Sequence, residues 1–267
     1  PESLELQQML AQMRDAGCSA CVMEVSSHAL TQHRVDAVDF DVAAFTNLTQ
    51  DHLDYHGNME SYFAAKRLLF DGLNMGAVVV ANIDDPYGAQ LAGDDSLTFG
   101  HSENAVIRAG DFTLGAESTQ LTVIGPNDPV LFTLPLIGRH NISNALAAYS
   151  VTSAMGIDGR VIGNALADLP RVPGRLEAIV AGQPFGVLVD YAHTDDALRQ
   201  VLKTLREVTM GQLLVMFGCG GNRDQGKRFK MGTAVAEWAD EILITTDNSR
   251  QEEPAVIAEQ VAEGCRA

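Results

Sequence analysis

Leu6, Met9, Leu10 and Met13 fall at i, i+3, i+4 and i+7, which predicts a helix with one apolar stripe, and Gly17 is suited to cap it in the left-handed conformation. Short apolar runs bounded by polar residues or glycine follow at 20–25, 42–46 and 77–83. Such runs predict strands covered on both faces, as in a parallel sheet. Met59, Tyr62, Phe63, Lys66 and Phe70 share one helix face after Asn58, a good N-cap residue. From 96 to 136 the texture shifts to short β-rich pieces, with the runs 120–124 and 130–134 flanking a turn-forming Gly-Pro-Asn-Asp-Pro. This predicts a hairpin-bearing insert. Ile142, Ala145, Leu146 and Tyr149 restore helical spacing, and a further helix is expected to end near Leu169, before Pro170 and Pro173.

Beyond that proline-rich stretch the pattern alternates. Strands are predicted at 185–189, 213–217 and 242–246, with helices around Leu198, Val201, Leu202 and Leu205 and around Met231, Ala234, Val235 and Trp238. Alternation of this kind makes a parallel α/β sheet with right-handed crossovers. The expected fold class is therefore α/β in two parts: a central parallel-sheet domain with a β-rich insert at 1–171, and a Rossmann-like α/β domain at 172–267. Ligands on such sheets gather at the carboxyl ends of strands. Polar clusters stand at three such ends, residues 190–193, 218–223 and 247–250.

Composition narrows the class. With 46% hydrophobic and 20% charged residues, the 267-residue chain can bury a full core, which excludes disorder and collagen-like repeats. A net charge of -17 repels a polyanion and argues against nucleic-acid binding. The longest apolar run, 76–81, falls far short of the roughly 20 residues that cross a bilayer. No signal segment opens the chain, so no membrane span and a cytoplasmic location are expected. Cys18, Cys21, Cys219 and Cys265 are too few for a disulfide scaffold, and Cys18 and Cys21 lack the second pair a zinc site needs; all four are read as buried or half-buried thiols. The start at Pro1 and the end just after an apolar pattern read as a piece of a longer protein.

Several residues can carry chemistry. Glu24, at the end of its predicted strand and followed by Ser26, Ser27 and His28, either faces a ligand or is simply solvated. Asp51, His52, Asp54 and His56 are material for a Mg²⁺ or Mn²⁺ site, or a capped polar loop. Lys66 puts an ammonium on an apolar stripe. Residue type favours snorkelling to solvent; the sharper reading is a lysine whose lowered pKa lets it take up CO₂ as a carbamate, a carboxylate-like metal ligand. The turn at 218–221 either binds an anion through its N–H groups or is a plain tight turn. Arg223 and Arg250, at neighbouring strand ends, either grip a carboxylate or pair with Asp224 and Glu252.

Eight strings occurring in one order resemble the Mur ligases of peptidoglycan synthesis. They are Glu-Val-Ser-Ser-His-Ala-Leu-Thr-Gln-His-Arg at 24–34, Thr-Asn-Leu-Thr-Gln-Asp-His-Leu-Asp-Tyr-His-Gly at 46–57, Ala-Ala-Lys at 64–66 and Gly-Arg-His-Asn-Ile-Ser-Asn at 138–144. Gly-Arg-Leu-Glu at 174–177, Asp-Tyr-Ala-His at 190–193, Phe-Gly-Cys-Gly-Gly-Asn-Arg-Asp at 217–224 and Asp-Asn-Ser-Arg at 247–250 complete the set. The resemblance implies a central ATPase-type domain and an amide ligase that joins meso-diaminopimelate to UDP-N-acetylmuramoyl-L-alanyl-D-glutamate with ATP and Mg²⁺. It implies that Glu24, His52 and Lys66 hold metal, Lys66 as a carbamate, which reverses the preference for snorkelling, and that these three are catalytic. By the same resemblance, Ser26, Gln32 and Arg34 contact the UDP-muramoyl dipeptide, Asn141, Arg175 and Asp190 surround ATP, and Arg223, Asp247, Asn248, Ser249 and Arg250 receive the amino acid. Arg250 is similar to the diaminopimelate-type signature, in which a guanidinium grips the distal carboxylate that lysine lacks. The family's phosphate loop, its uridine-binding domain and its Gly-Lys-Gly-His-Glu segment are not among these residues, so an inactive internal fragment is expected. Ser249 and Asp195 stand where the family has proline. An L-lysine-adding or folylpolyglutamate-type ligase and a non-catalytic metabolite-binding relative are the alternatives.

Overall fold

The computed structural model describes residues 1–49, 52–170 and 172–267. The chain forms two compact units: Pro1–Gly110 with Thr122–Val130 and Ser143–Gly163, and Asp111–Leu121 with Leu131–Ile142 and Asn164–Ala267. In order, the elements up to the β-rich region are α1 (Ser3–Asp15), α2 (Ser27–Thr31), β1 (Val42–Phe45), α3 (Leu53–His56), α4 (Met59–Asp71), β2 (Val78–Asn82), α5 (Pro86–Leu91) and β3 (Leu97–Gly100). Next come β4 (Ile107–Leu114), β5 (Thr119–Ile124), β6 (Val130–Leu134), α6 (Arg139–Ala154) and α7 (Gly159–Ala167). The last part holds β7 (Glu177–Ala178), β8 (Leu188–Val189), α8 (Asp195–Val208), β9 (Leu214–Phe217), α9 (Gly226–Ala236), β10 (Glu241–Ile244) and α10 (Pro254–Arg266).

One sheet has the order β1-β2-β3-β4-β5-β6, and its first four strands run parallel. Val80, Ala81, Phe99, Leu121, Val123 and Leu134 are buried in it, as the unbroken apolar runs require. Asn58 caps α4 as predicted, its Oδ1 accepting the Ser61 N–H at 2.8 Å. Gly17, at φ +87, ends α1, with the Cys18 N–H bonded to the Met13 carbonyl at 3.0 Å.

Two side chains at the end of β2 hold the loop that follows β1. Asn82 donates Nδ2–H to the Thr46 carbonyl at 2.8 Å. Asp85 caps α5 through the N–H groups of Tyr87 and Gly88 and also accepts the Leu48 N–H at 2.9 Å.

The strand expected at 20–25 does not form. A strand exists only with a hydrogen-bonded neighbour, and among the described residues no strand pairs with this segment; Val22 is 93% exposed. The run 185–189 yields only β8, which pairs antiparallel with β7 rather than extending the parallel pair β9 and β10. Asp195 proves to be the first residue of α8, after the Thr194 cap. Proline and aspartate both suit that position, the first by its fixed φ and the second by the helix dipole, so this departure leaves the helix start intact.

In the last part, Leu198, Leu202 and Leu205 of α8 join Met231 and Val235 of α9 and Ile257 and Val261 of α10 in one core cluster. Helices α9 and α10 meet backbone to backbone. A Cβ on Gly232 would lie 2.2 Å from the Val261 carbonyl oxygen, and one on Gly264 would lie 2.0 Å from that of Phe229. At the start of α9, Arg228 is fully buried. Its Nη1 donates to Glu252 Oε2 at 2.9 Å and Gln260 Oε1 at 2.7 Å, and its Nη2 to Glu252 Oε1 at 2.8 Å.

Gly264→Ala should destabilise the chain by about 1–3 kcal/mol in denaturant titration, because the helices must part to admit a methyl group. Acid provides a second check. The paired guanidinium and the Asn222 N–H hold the Glu252 carboxyl down to about 2, from 4.5. Its contribution is therefore complete above pH 4.5 and lost as the pH falls toward 2. Glu252→Gln should remove that part of the acid destabilisation; an unchanged stability profile between pH 5 and 2 would show that the pair is not its source.

Candidate functional site

The first unit gathers imidazoles and phenols around α2, α3 and α4. The His28 ring centroid lies 4.1 Å from that of Tyr55, 4.9 Å from His52 and 5.6 Å from His56. His56 stacks on Tyr62 at 5.0 Å and bonds through Nε2 to Ser27 Oγ at 2.8 Å. Lys66, half-buried, places Nζ 5.3 Å from the Tyr62 ring centroid. His52 and Lys66 are thus brought together around Tyr62, which His52 meets edge-on at 6.0 Å. Glu24 is exposed on the segment before α2. Among the described residues no three His, Cys, Asp or Glu side chains form a ready-made metal cage, and Asp51 lies outside them.

The residues expected to meet the UDP-muramoyl dipeptide cluster at α2. Ser26 is its N-cap, with Oγ accepting the Ala29 N–H at 3.2 Å, and Gln32 is its exposed C-cap. Arg34 pairs with Glu2 at 2.9 Å, while its Nε is buried with no partner.

The second unit holds a cavity of about 670 Å³. Its lining includes Asp190, Arg223, Asp247, Asn248 and Arg250 from the expected set, together with Lys227. Ser249 is not part of the lining; it contributes its carbonyl to the Glu252 N–H at 3.0 Å. The ion pairs weighed for the two arginines do not form: Glu252 is taken by Arg228, and Asp224 accepts the Gly226 N–H at 2.9 Å. Arg250 instead donates Nη1–H to the Gly221 carbonyl at 2.5 Å. The loops are joined again by the Gly221 N–H to Asn248 O at 2.8 Å and the Gln251 N–H to Asn222 Oδ1 at 3.0 Å.

Asp190 interlocks two of the strings. One carboxylate oxygen accepts the Leu176 N–H and the other the Ala192 N–H, each at 2.8 Å. The Tyr191 N–H bonds to the Gly174 carbonyl at 2.8 Å, and Arg175 lies 5.9 Å from the Tyr191 ring. Asn141, near the start of α6, donates Nδ2–H to the Ile137 carbonyl at 2.8 Å. The turn at 218–221 does not open a helix directly, since α9 starts at Gly226.

Backbone strain marks the same places. Among the described residues the non-glycine positions at positive φ are His33, His52, Leu176, Asn222 and Arg250, and each lies within one of the eight strings. Strain of that kind persists where the surroundings impose it, commonly at functional sites. The thiols divide. Cys219 is buried, donates to Met231 Sδ at 3.5 Å and has its pKa raised by burial. Cys265 is half-buried, whereas Cys18 and Cys21 are exposed, contrary to expectation, because the segment around them has no strand to cover it.

Pattern reading missed Asn82, Asp85, Lys227 and Arg228. Lys227 donates from Nζ to the His193 carbonyl at 3.1 Å, tying α9 to the 190–193 loop. Its only sequence signal was a cation one residue inside a helix that follows a glycine-rich turn.

Comparison with known proteins agrees with these strings. Residues 1–152 match the Mur ligase middle domain, and residues 174–267 match the Mur ligase, glutamate ligase domain. The UDP-N-acetylmuramoyl-L-alanyl-D-glutamate--2,6-diaminopimelate ligase of Geobacter metallireducens is 43% identical over 100% of this chain and 54% of its own length. The Gloeobacter violaceus protein of the same name is 45% identical over 99% of this chain and 55% of its own. A solved structure of a ligase so named superposes with a TM-score of 0.77 at 33% identity, covering 99% of this chain and 55% of that one. A Mycobacterium tuberculosis folylpolyglutamate synthase complexed with ADP, 20% identical with a TM-score of 0.70 over 95% of this chain and 57% of its own, shares the fold. The chain spans about half the length of the curated relatives it matches. With two domains of one family matched in order along it, the chain belongs to the Mur ligase family.

Proposed function

We propose that these residues are the central and carboxy-terminal parts of a cytoplasmic, ATP-dependent amide ligase that adds meso-diaminopimelate to UDP-N-acetylmuramoyl-L-alanyl-D-glutamate, with the domain boundary between 171 and 172. One observation supports the amino-acid choice above others. Arg223 and Arg250 both line the same cavity, and neither has a carboxylate partner among the described residues. A guanidinium offers a fork of donors that matches a carboxylate, and two of them suit an amino acid with two carboxylates better than lysine. Asp247 and Asn248 supply acceptors for its ammonium groups.

The reaction joins an acid and an amine. The terminal carboxylate of the nucleotide substrate attacks the γ-phosphorus of ATP and releases ADP. The amine of the incoming amino acid then attacks the acyl phosphate, forms the C–N bond, loses a proton and expels phosphate. Both steps concentrate negative charge, so preorganised cations contribute most of the help a protein can give. On this reading Ser26, Gln32 and Arg34 hold the dipeptide substrate, and Asn141, Arg175 and Asp190 flank ATP. Asp190 does so as the bracket that fixes the 174–177 string against the 190–193 loop.

Glu24, His52 and a carbamate on Lys66 would hold Mg²⁺. Their donor chemistry fits: Mg²⁺ takes one or two protein carboxylates and completes its shell with phosphate oxygens and water, so a closed protein cage is not needed. When bound, the ion neutralises phosphate charge. Lys66 is half-buried, with Nζ over the Tyr62 ring and in the same cluster of rings as His52.

The test is phosphate release by the full-length ligase, given ATP, Mg²⁺ and the UDP-muramoyl dipeptide. Release with meso-diaminopimelate and not with L-lysine is expected; the opposite preference would keep the ligase and overturn the amino-acid choice, and no release with either would favour a non-catalytic relative. Arg250→Lys should lower kcat/KM for diaminopimelate by roughly tenfold or more, since a point charge cannot replace the fork. Equal loss with poor amino-acid substrates would assign Arg250 a purely structural role. Lys66→Ala should abolish most turnover and recover part of it with added short carboxylates; full activity without them would remove Lys66 from the mechanism.

A further inference from the structure

A charge pair that does not line the cavity connects the segments that carry its two arginines. Arg228 is removed from solvent, and its hydrogen bonds run to Glu252, to Gln260 of α10 and to the Gly220 carbonyl at 3.3 Å. Glu252 in turn accepts the Asn222 N–H at 2.5 Å and the Gln225 Nε2–H at 3.4 Å. Arg223 is therefore flanked by residues whose positions depend on Glu252. Glu252 lies two residues beyond Arg250, and its own N–H is bonded to the Ser249 carbonyl. Asn222 and Arg250 are the left-handed residues of these loops.

We propose that Arg228 and Glu252 are positioning residues that fix the separation of Arg223 and Arg250, and so the size of the dicarboxylic amino acid the cavity accepts. The idea rests on the amino-acid-pocket reading above. It explains a feature that reading leaves unexplained, namely why a second charge pair, with its arginine buried, joins the segments that carry the cavity's two arginines. A bidentate guanidinium–carboxylate pair allows little change in distance or angle, so loops attached to its two ends cannot drift apart. Loosening it should harm the ligand that spans both arginines more than one that needs a single carboxylate contact.

The test measures steady-state constants of the full-length ligase for meso-diaminopimelate, L-lysine and ATP. Glu252→Gln should raise KM for diaminopimelate by roughly tenfold, keep kcat and KM for ATP within about threefold, and lower the preference for diaminopimelate over lysine. The double variant Arg228→Met with Glu252→Gln removes the buried guanidinium together with its half-buried partner, which preserves folding better than leaving one unpaired. It should melt near the wild type and still show the raised KM and reduced preference. A folded double variant with wild-type KM and preference would overturn the proposal, as would equal losses in every constant, which mark a structural role alone. A wild-type enzyme that uses neither amino acid would instead overturn the pocket reading, and this inference with it.

Discussion

A guanidinium taken out of water must find its hydrogen bonds inside the protein, and Arg228 makes four through Nη1 and Nη2, to Glu252, Gln260 and the Gly220 carbonyl. Removing either member of such a pair leaves an uncompensated charge, so the pair acts less as a source of net stability than as a demand for one geometry. Here the demand falls on the loops after β9 and β10, the carboxyl ends of parallel strands, where an open α/β sheet presents its ligands. The backbone contact of α9 with α10 at Gly232 and Gly264 supports the same end of the domain, because Gln260 reaches Arg228 from α10.

The first unit uses a different device for the same purpose. Its loop after β1 is held by Asn82 and Asp85, side chains that donate to or accept from main-chain groups more than thirty residues away. His52 follows in left-handed conformation, with its ring among those of His28, Tyr55 and Tyr62. Edge-on contacts with His28 and Tyr62 bias where this exposed imidazole points, which suits a residue proposed to meet a cation.

Most elements were legible because their signals are local. Asn58 announces α4, the alternating runs announce β9 and β10, and Gly17 announces the end of α1. The run 20–25 was misread because a strand depends on a neighbour that a local pattern cannot supply. The candidate site was legible at Arg223, Asp247, Asn248 and Arg250, since strand ends in an α/β pattern already point to ligands. Arg228, Asn82 and Asp85 escaped notice for one reason: each acts through contacts between distant parts of the chain, and an arginine at a helix start looks like any solvated cation until its burial is known. Ser249 was read as a pocket residue from its place in a string, yet it participates through its carbonyl.

That last detail separates two tasks within one loop. The frame around the cavity combines main-chain bonds, Gly221 N–H to the Asn248 carbonyl and Glu252 N–H to the Ser249 carbonyl, with side-chain bonds from Arg250 to the Gly221 carbonyl and from the Asn222 N–H to Glu252. Any residue with a peptide group can supply the main-chain bonds, whereas the surface that a ligand meets is made of a few side chains, Arg250 serving in both. Substitution at ligand-facing side chains can therefore change the surface that a ligand meets while the main-chain bonds of the frame remain.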